Sequence, residues 1–420
     1  MDFRDRTLGA GVKRGMKFEI RMMGMIALAM CVAACTGQTG QAGQAAAASP
    51  ALRQEAMALE SEGKNAEAEA AWRTIAKAQP ASAEPYAHMG LMEARQEHYK
   101  EAVPFYSKAL ALDPKMAALR LNLGLALFKD GALKQALVEF MPLLKAAPAG
   151  SAEAQRLTIL VAMAHYGLGE YAQAVPYLKE AAGADEQNLP LRLALAHSCL
   201  WSKQYQCVLD VYHEILTLNA ESAEADMLAG EAHDELKEYD GAIAEFRAAV
   251  KTDPKEPNVH FGLGYLLWTQ RQYPEAAQEF QAELANDPNH AQATAYLADA
   301  ELQLNHPELA LPLLEKVAKS DPGLALAHLD LGILYAAGGR QADALRELNA
   351  AAKLSPEDVN AHWRLGRLLK SMGKKEEAKV EFDKASSLHK ATDDALLTKM
   401  NGAKAQPARS TEPGVNQPER

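Results

Sequence analysis

A pattern with a period of about 34 residues recurs along most of this chain and restricts what the chain can fold into. In one copy, Gly90 is followed twelve positions later by Ala102 and four positions after that by Tyr106. A small residue lets two helices approach closely, and a bulky residue fills the space between neighbouring helix pairs. A repeat of this length is typical of stacked helical hairpins, each of which packs only against its neighbours.

Proline and turn residues mark where each copy ends and where its chain reverses. Proline cannot continue a helix and disfavours helical geometry in the residue before it, so it indicates a boundary between copies. Such prolines occur at Pro80, Pro114, Pro148, Pro254, Pro288, Pro322 and Pro356. Glycine or polar residues between the two landmarks indicate a tight turn inside each hairpin, for example at Gly131 and Gly373.

These landmarks resemble those of the tetratricopeptide repeat family, whose unit is a helix–turn–helix of about 34 residues. The resemblance implies an all-α, right-handed superhelical solenoid of about ten repeats over residues 49–392. The repeats start near Ser49, Ala83, Ala117, Gln155, Leu189, Ala223, Pro257, Ala291, Ala325 and Val359. Four extra residues near 150–154 are expected to lengthen one turn between repeats. We expect residues 393–400 to form a short capping helix and residues 401–420 to be disordered.

The N-terminal segment has the pattern of a secretory signal, with basic residues followed by a short apolar stretch from Met22 to Ala34. The sequence Val32-Ala33-Ala34-Cys35 resembles the bacterial lipobox, which implies that Cys35 is lipidated after residues 1–34 are removed. Residues 35–48 then form a flexible tether. The family rule for Thr36 favours the outer membrane, facing the periplasm. An ordinary signal peptide or an uncleaved anchor is the alternative, and Met16 is a second possible start.

Two further cysteines, Cys199 and Cys207, fall on the two helices of one repeat. An exported protein is in a compartment that permits a disulfide, but pairing requires Cα atoms within about 7 Å. The sequence leaves open whether these residues pair or remain buried thiols.

The family resemblance also implies that the first helices of the repeats line a concave groove. On that face we expect an aromatic partner-binding surface, because contiguous exposed aromatic residues indicate an interface. Its predicted members are Phe128, Tyr166, Trp201, Phe261, Tyr265 and Trp268. The alternative is that several of these side chains are core residues, since a stripe at helical spacing is often packing.

The sequence offers little support for chemistry. It contains no Cys/His cluster with zinc spacing, no nucleophile elbow and no phosphate-binding loop. We therefore expect no enzymatic activity, no metal site and no cofactor. A formal net charge of −11 also argues against nucleic-acid binding, which requires Lys and Arg to neutralise phosphates.

The expected function is therefore a scaffold or adaptor in the bacterial cell envelope that binds a protein or peptide in its groove. Narrower alternatives are an assembly factor for pili, secretion, outer-membrane proteins or polysaccharide export. A different alternative is a carrier that presents a glycan or other substrate to an envelope enzyme.

Overall fold

The computed structural model describes residues 50–218 and 221–404. These residues form twenty α-helices, with no strand among them, which confirms the predicted all-α repeat fold. The predicted signal peptide, Cys35, the tether and the tail from 405 to 420 lie outside the described residues.

The helices pair in chain order into ten hairpins, and the first helix of each hairpin carries an odd number. Contacts divide the hairpins between two compact units, an N-unit with α1–α12 and a C-unit from residue 257 with α13–α20. The helices are α1 Pro50–Ser61, α2 Asn65–Ala78, α3 Ala83–Arg95, α4 Tyr99–Leu112, α5 Ala117–Lys129, α6 Leu133–Ala146, α7 Ala152–Gly167, α8 Tyr171–Ala184, α9 Leu189–Trp201, α10 Tyr205–Thr217, α11 Ala223–Glu235, α12 Tyr239–Thr252, α13 Val259–Thr269, α14 Tyr273–Asn286, α15 Ala291–Gln303, α16 Pro307–Ser320, α17 Ala325–Ala337, α18 Gln341–Leu354, α19 Val359–Ser371 and α20 Lys375–Lys404.

The glycine landmark is a point of close approach between the two helices of a hairpin. A Cβ added to Gly264 would lie 2.8 Å from Cε1 of Phe280 and 3.3 Å from the carbonyl oxygen of Ala276. Both distances are shorter than ordinary van der Waals contacts. The same glycine-to-bulky pairing occurs at Gly90–Tyr106, Gly124–Phe140, Gly230–Phe246, Gly332–Leu348 and Gly366–Phe382.

Each hairpin turn contains one residue with a left-handed backbone. These residues are Gly63, Glu97, Gly131, Gly169, Lys203, Lys237, Arg271, Asn305, Gly339 and Gly373, with φ between 61° and 81°. A single left-handed residue reverses the chain at the end of a helix and leads it directly into the next one.

The four extra residues near 150 mostly extend a helix rather than a turn. Helix α7 begins at Ala152 and has 16 residues, compared with 13 in α3, α5 and α9. Ser151 caps it by accepting a hydrogen bond from the Ala154 amide at 3.1 Å. A serine cap stabilises the extended start of the helix, because it satisfies one of the unpaired amides there.

Residues 393–400, expected to form a short capping helix, are helical. Helix α20 is continuous over 30 residues, from Lys375 to Lys404, so residues 393–400 prolong the second helix of the last hairpin. No glycine or proline interrupts the chain between Lys375 and Met400, which explains why the helix does not break there. Residues 401–404 of the predicted tail are likewise helical.

Candidate partner-binding face

In the N-unit, each of the three predicted groove aromatics is half-buried and makes a ring contact with a neighbouring helix. Tyr166 of α7 meets the edge of Tyr171 at 5.6 Å, and Tyr171 stacks on Trp201 of α9 at 5.8 Å. Phe128 of α5 lies 6.3 Å from the ring of Phe140 and packs against the core. Tyr166 and Trp201 are thus linked through Tyr171, whereas Phe128 packs against core residues of its own hairpin and of the hairpins that follow.

In the C-unit, Phe261 is a core residue, and its prediction as a groove residue is wrong. Its side chain is fully buried. Its ring centroid lies 5.9 Å from that of Phe280, 4.9 Å from His290 and 5.9 Å from Tyr296. The last two residues belong to the next hairpin and its preceding loop, so large side chains of the neighbouring repeat cover Phe261.

Tyr265 and Trp268 remain half-buried and join with Tyr296 in an aromatic cluster on α13 and α15. Tyr265 and Trp268 stack at 6.1 Å, with an angle of 23° between the rings. Tyr296 meets both rings edge-on, at 5.4 Å from Tyr265 and 5.1 Å from Trp268. These contacts hold the half-buried rings in one orientation.

A buried carboxylate lies next to this cluster. Asp299 of α15 accepts a hydrogen bond from the indole Nε1 of Trp268 at 2.5 Å and another from Gln303 at 3.3 Å. Burial raises the pKa of Asp299, and the two hydrogen bonds partly oppose that rise. Asp299 therefore ties α13 to α15 and forms no ion pair with any described side chain.

One repeat position is occupied by Tyr296 on α15, Asp330 on α17 and Arg364 on α19. Asp330 is only 4% exposed. Burial raises the pKa of Asp330 well above its usual range, the charge of Asp299 raises it further, and Arg364 lowers it. The charged residues Asp299, Asp330 and Arg364 are therefore electrostatically connected along successive first helices.

Helix α19, the first helix of the last hairpin, carries a partly exposed tryptophan next to two arginine side chains. Trp363 of α19 is 42% exposed, and the guanidinium groups of Arg364 and Arg367 lie 5.5 Å and 4.8 Å from its ring centroid. We use the term "C-unit face" for this continuous set on α13, α15, α17 and α19, which consists of Tyr265, Trp268, Tyr296, Asp299, Asp330, Trp363, Arg364 and Arg367.

The sequence reasoning missed Tyr296, Asp299 and Asp330. A signal for them was present, because Asp299 follows Tyr265 by one repeat length, and Asp330 follows Tyr296 by the same interval. Comparing residues by repeat position would have placed Asp299 at the position of the predicted Tyr265.

Three histidines at one repeat position link the two helices of their own hairpin. Nδ1 of His260, His328 and His362 lies 2.6, 2.7 and 2.5 Å from a Glu carboxylate on the second helix of the same hairpin. These Glu residues are Glu279, Glu347 and Glu381. Within residues 50–218 and 221–404, no group of three or more His, Cys, Asp or Glu side chains is arranged to hold a metal ion.

The two cysteines of the fifth hairpin are bonded in the structure. Cys199 on α9 and Cys207 on α10 form a disulfide with Cα atoms 5.8 Å apart. Cys199 is fully buried. No helix in the described part of the chain combines the length and the apolar character needed to cross a membrane.

Two curated proteins are similar in sequence to short stretches of this chain. The chain is 26% identical over 112 residues to small glutamine-rich tetratricopeptide repeat-containing protein 2 of Mycosarcoma maydis, a match of 27% of this chain and 32% of the relative. It is 24% identical over 147 residues to tetratricopeptide repeat protein 8 of Caenorhabditis elegans, covering 34% and 29% of the two chains. The chain therefore spans about a third of the length of these curated relatives.

Similar solved structures include YrrB, described as a tetratricopeptide repeat protein with an unusual peptide-binding site, at 22% identity and a TM-score of 0.36. That match covers 45% of this chain and 97% of YrrB. MamA from Desulfovibrio magneticus matches at 23% identity and a TM-score of 0.36, covering 41% and 97%. Naa15/Naa10 bound to HypK matches at 17% identity and a TM-score of 0.42, covering 80% and 63%.

Family models settle the classification. Models described as tetratricopeptide repeat match residues 53–117, 261–325, 297–358 and 329–385, and further models of the same repeat match 93–158, 159–188 and 230–271. Together these matches extend over more than half of the chain and agree with the hairpins of the structure. The chain belongs to the tetratricopeptide repeat proteins.

Proposed function

We propose that this protein is a scaffold of the bacterial cell envelope that holds a partner polypeptide against the first helices of its repeats. Tetratricopeptide repeat proteins offer extended surfaces of this kind for protein binding. The observation that carries the proposal is the C-unit face, where aromatic and charged side chains adjoin on four successive first helices.

The composition of this face supports a protein partner. Trp363 is 42% exposed, and tryptophan and arginine are among the residues that most often dominate binding energy at protein interfaces. Tyr265 and Trp268 are half-buried and held by ring contacts, so binding would order few additional side chains. A face that is ordered before binding loses less conformational entropy when the partner arrives.

The partner can be identified by crosslinking in cells that produce the protein, followed by affinity capture and mass spectrometry. We expect Trp363→Ser to reduce capture of the partner, because it removes an exposed indole from the face while leaving the core intact. Leu309→Ser is the matched control, since Leu309 is 51% exposed but lies on α16, a second helix. Equal capture by both variants, or no partner from envelope fractions, would contradict the proposal.

We further propose that a lipid on Cys35 tethers the repeats to the periplasmic side of the membrane, most simply the outer one. The support is the sequence Val32-Ala33-Ala34-Cys35 and the glycine- and glutamine-rich stretch that follows it. Cys35→Ser should move the protein from the membrane fraction to the soluble fraction, because it removes the thiol that accepts the lipid. Cys199→Ser is the control. If Cys35→Ser stays in the membrane fraction and its mass differs from that of the wild type only by the exchange of sulfur for oxygen, lipidation is refuted.

A further inference from the structure

Asp330 is an unusual residue for a helix-packing position. The residue is 4% exposed, its Oδ2 is buried, and its carboxylate accepts no hydrogen bond from residues 50–218 and 221–404. A buried polar group without a hydrogen bond costs free energy, so most buried carboxylates have partners. Packing alone therefore does not explain why the chain has an aspartate at position 330.

The groups that face Asp330 come from the two neighbouring first helices. Asp299 of α15 raises the pKa of Asp330, and Arg364 of α19 lowers it. In the described part of the chain, Arg364 forms no direct ion pair with Asp330. Instead its Nε donates to Oδ1 of Asn360 at 3.3 Å, and its guanidinium lies over the Trp363 ring. Asp330 thus lies near one positive charge without being paired to it.

The two carboxylates differ in their spare capacity to accept hydrogen bonds. Both oxygens of Asp299 already accept one, from Trp268 and from Gln303. Asp330 accepts none from the described residues, although a carboxylate has about four acceptor positions. Most of the unused acceptor positions of the pair therefore belong to Asp330.

The aromatic cluster borders the same place. Tyr296 and Asp299 are on one helix, and the half-buried Trp268 bonds to Asp299 directly. The faces of tryptophan and tyrosine attract cations, and lysine and arginine side chains use such faces when they bind. An acidic pair beside aromatic rings favours a ligand that carries a positive charge on an apolar stem.

We propose that Asp330 and Asp299 form a subsite for a lysine or arginine side chain of the partner polypeptide, with the half-buried Trp268 beside its aliphatic stem. The polypeptide nature of the ligand rests on the proposed function, whereas the affinity of the subsite for an ammonium or guanidinium group does not. The incoming N–H groups donate to the oxygens of Asp330 and thereby replace the hydrogen bonds that the carboxylate lacks.

The protonation of Asp330 gives this subsite a pH dependence. Because burial and Asp299 raise its pKa, Asp330 must release its proton before it can pair with a cation. Arg364 is the one facing cation among the described groups and acts in the opposite sense. Binding of a cation should therefore release a proton and become tighter as the pH rises through the raised pKa of Asp330.

The indole N–H of Trp268 is a direct reporter of the subsite, because it donates to Asp299. We would follow the indole signals of the full-length protein by ¹H–¹⁵N NMR, with Trp268 assigned through Trp268→Phe. The probes are butylguanidinium chloride and butylammonium chloride, which represent the arginine and lysine side chains. Butylurea is the neutral control of similar shape.

We expect both cations to shift the Trp268 signal and butylurea to leave it unchanged. Asp330→Asn should weaken the response by roughly tenfold or more, the factor that about 1.4 kcal/mol represents. The matched control is Asp383→Asn, an exposed carboxylate on the second helix α20. The spectra also report whether each variant remains folded.

Three results would overturn the subsite: an equal shift with butylurea, a response that Asp330→Asn leaves intact, or a response to calcium chloride that matches the organic cations. The last result would indicate a metal-ion site instead. Because this titration uses no partner protein, it can fail while partner capture succeeds, and the reverse also holds. The two proposals are therefore tested separately.

Discussion

The buried carboxylate of Asp330 is expected to reduce the stability of the C-unit at neutral pH. Its pKa is raised in the folded state, so the stability that the protonated form provides is present at low pH and is lost as the pH rises through the folded pKa. Asp330→Asn cannot ionise. We expect this variant to be more stable than the wild type at pH 7.5, by about 1.4 kcal/mol for each unit by which the folded state raises the pKa of the carboxyl group, because a neutral amide avoids the cost of burying a charge.

Urea unfolding at several pH values measures this effect. The advantage of Asp330→Asn should shrink as the pH falls towards 4, where the wild-type carboxyl is increasingly protonated. Asp383→Asn serves as the control and should unfold like the wild type at each pH. If Asp330→Asn is less stable at pH 7.5, Arg364 stabilises the ionised carboxylate more than burial opposes it.

This residue also shows how function and stability can oppose each other. A substitution that stabilises the C-unit would at the same time weaken the proposed cation subsite. Such opposition is common where a binding site keeps a charged group in a buried position. An asparagine would suit the fold better than the aspartate that the chain carries.

At the scale of the helices, the close contact between Gly264 and Phe280 limits what the hairpin tolerates. Phe280 is fully buried, so its ring cannot move away from an added methyl group at 2.8 Å. We expect Gly264→Ala to destabilise the C-unit by about 1–3 kcal/mol, the range for overpacked sites, although alanine is the better helix former.

The matched control is Gly183→Ala in α8, where no atom lies within 4 Å of the added Cβ. This variant should be as stable as the wild type or slightly more stable. Thermal unfolding followed by circular dichroism compares the two. Similar melting curves for both variants would show that the hairpin can widen at Gly264 without loss.

The helices were largely predictable from the sequence because their landmarks have local causes. Small residues at the helix crossing, bulky residues sixteen positions later and a turn residue with left-handed geometry all recur once per repeat in the C-unit. A helix at 393–400 was expected, but the full length of α20 was not, because the end of the repeat pattern carries no helix-breaking residue. Loss of a repeat signal does not by itself end a helix.

The side chains of the site were predicted less well, because their exposure depends on the neighbouring hairpin. Phe261 has the same local pattern as an exposed groove residue, but Tyr296 and His290 cover it. Asp330 reads as an ordinary polar position until its two neighbours on α15 and α19 are known. The sequence of one repeat cannot state which residues the next repeat will place against it.

At the scale of the whole molecule, a stack of hairpins distributes stability among neighbours. Each repeat in such a stack contacts mainly the repeats before and after it, so a local defect weakens the nearest repeats first. In the C-unit, α17 contacts α15, α16, α18 and α19. A defect in α17 should therefore destabilise these contacting helices before it affects more distant helices of the C-unit.

Gly332→Ala tests this order, since an added Cβ there would lie 2.6 Å from Cγ of Leu348 and 3.2 Å from its backbone nitrogen. We expect hydrogen exchange measured by mass spectrometry to show the greatest loss of protection in α17 and α18. A smaller loss should follow in α15, α16 and α19, with the least change in α13. Gly183→Ala is again the control, and its protection should match the wild type throughout the C-unit. Equal loss in every C-unit helix would instead mean that the four hairpins unfold as one cooperative body, because no repeat could then open without the others.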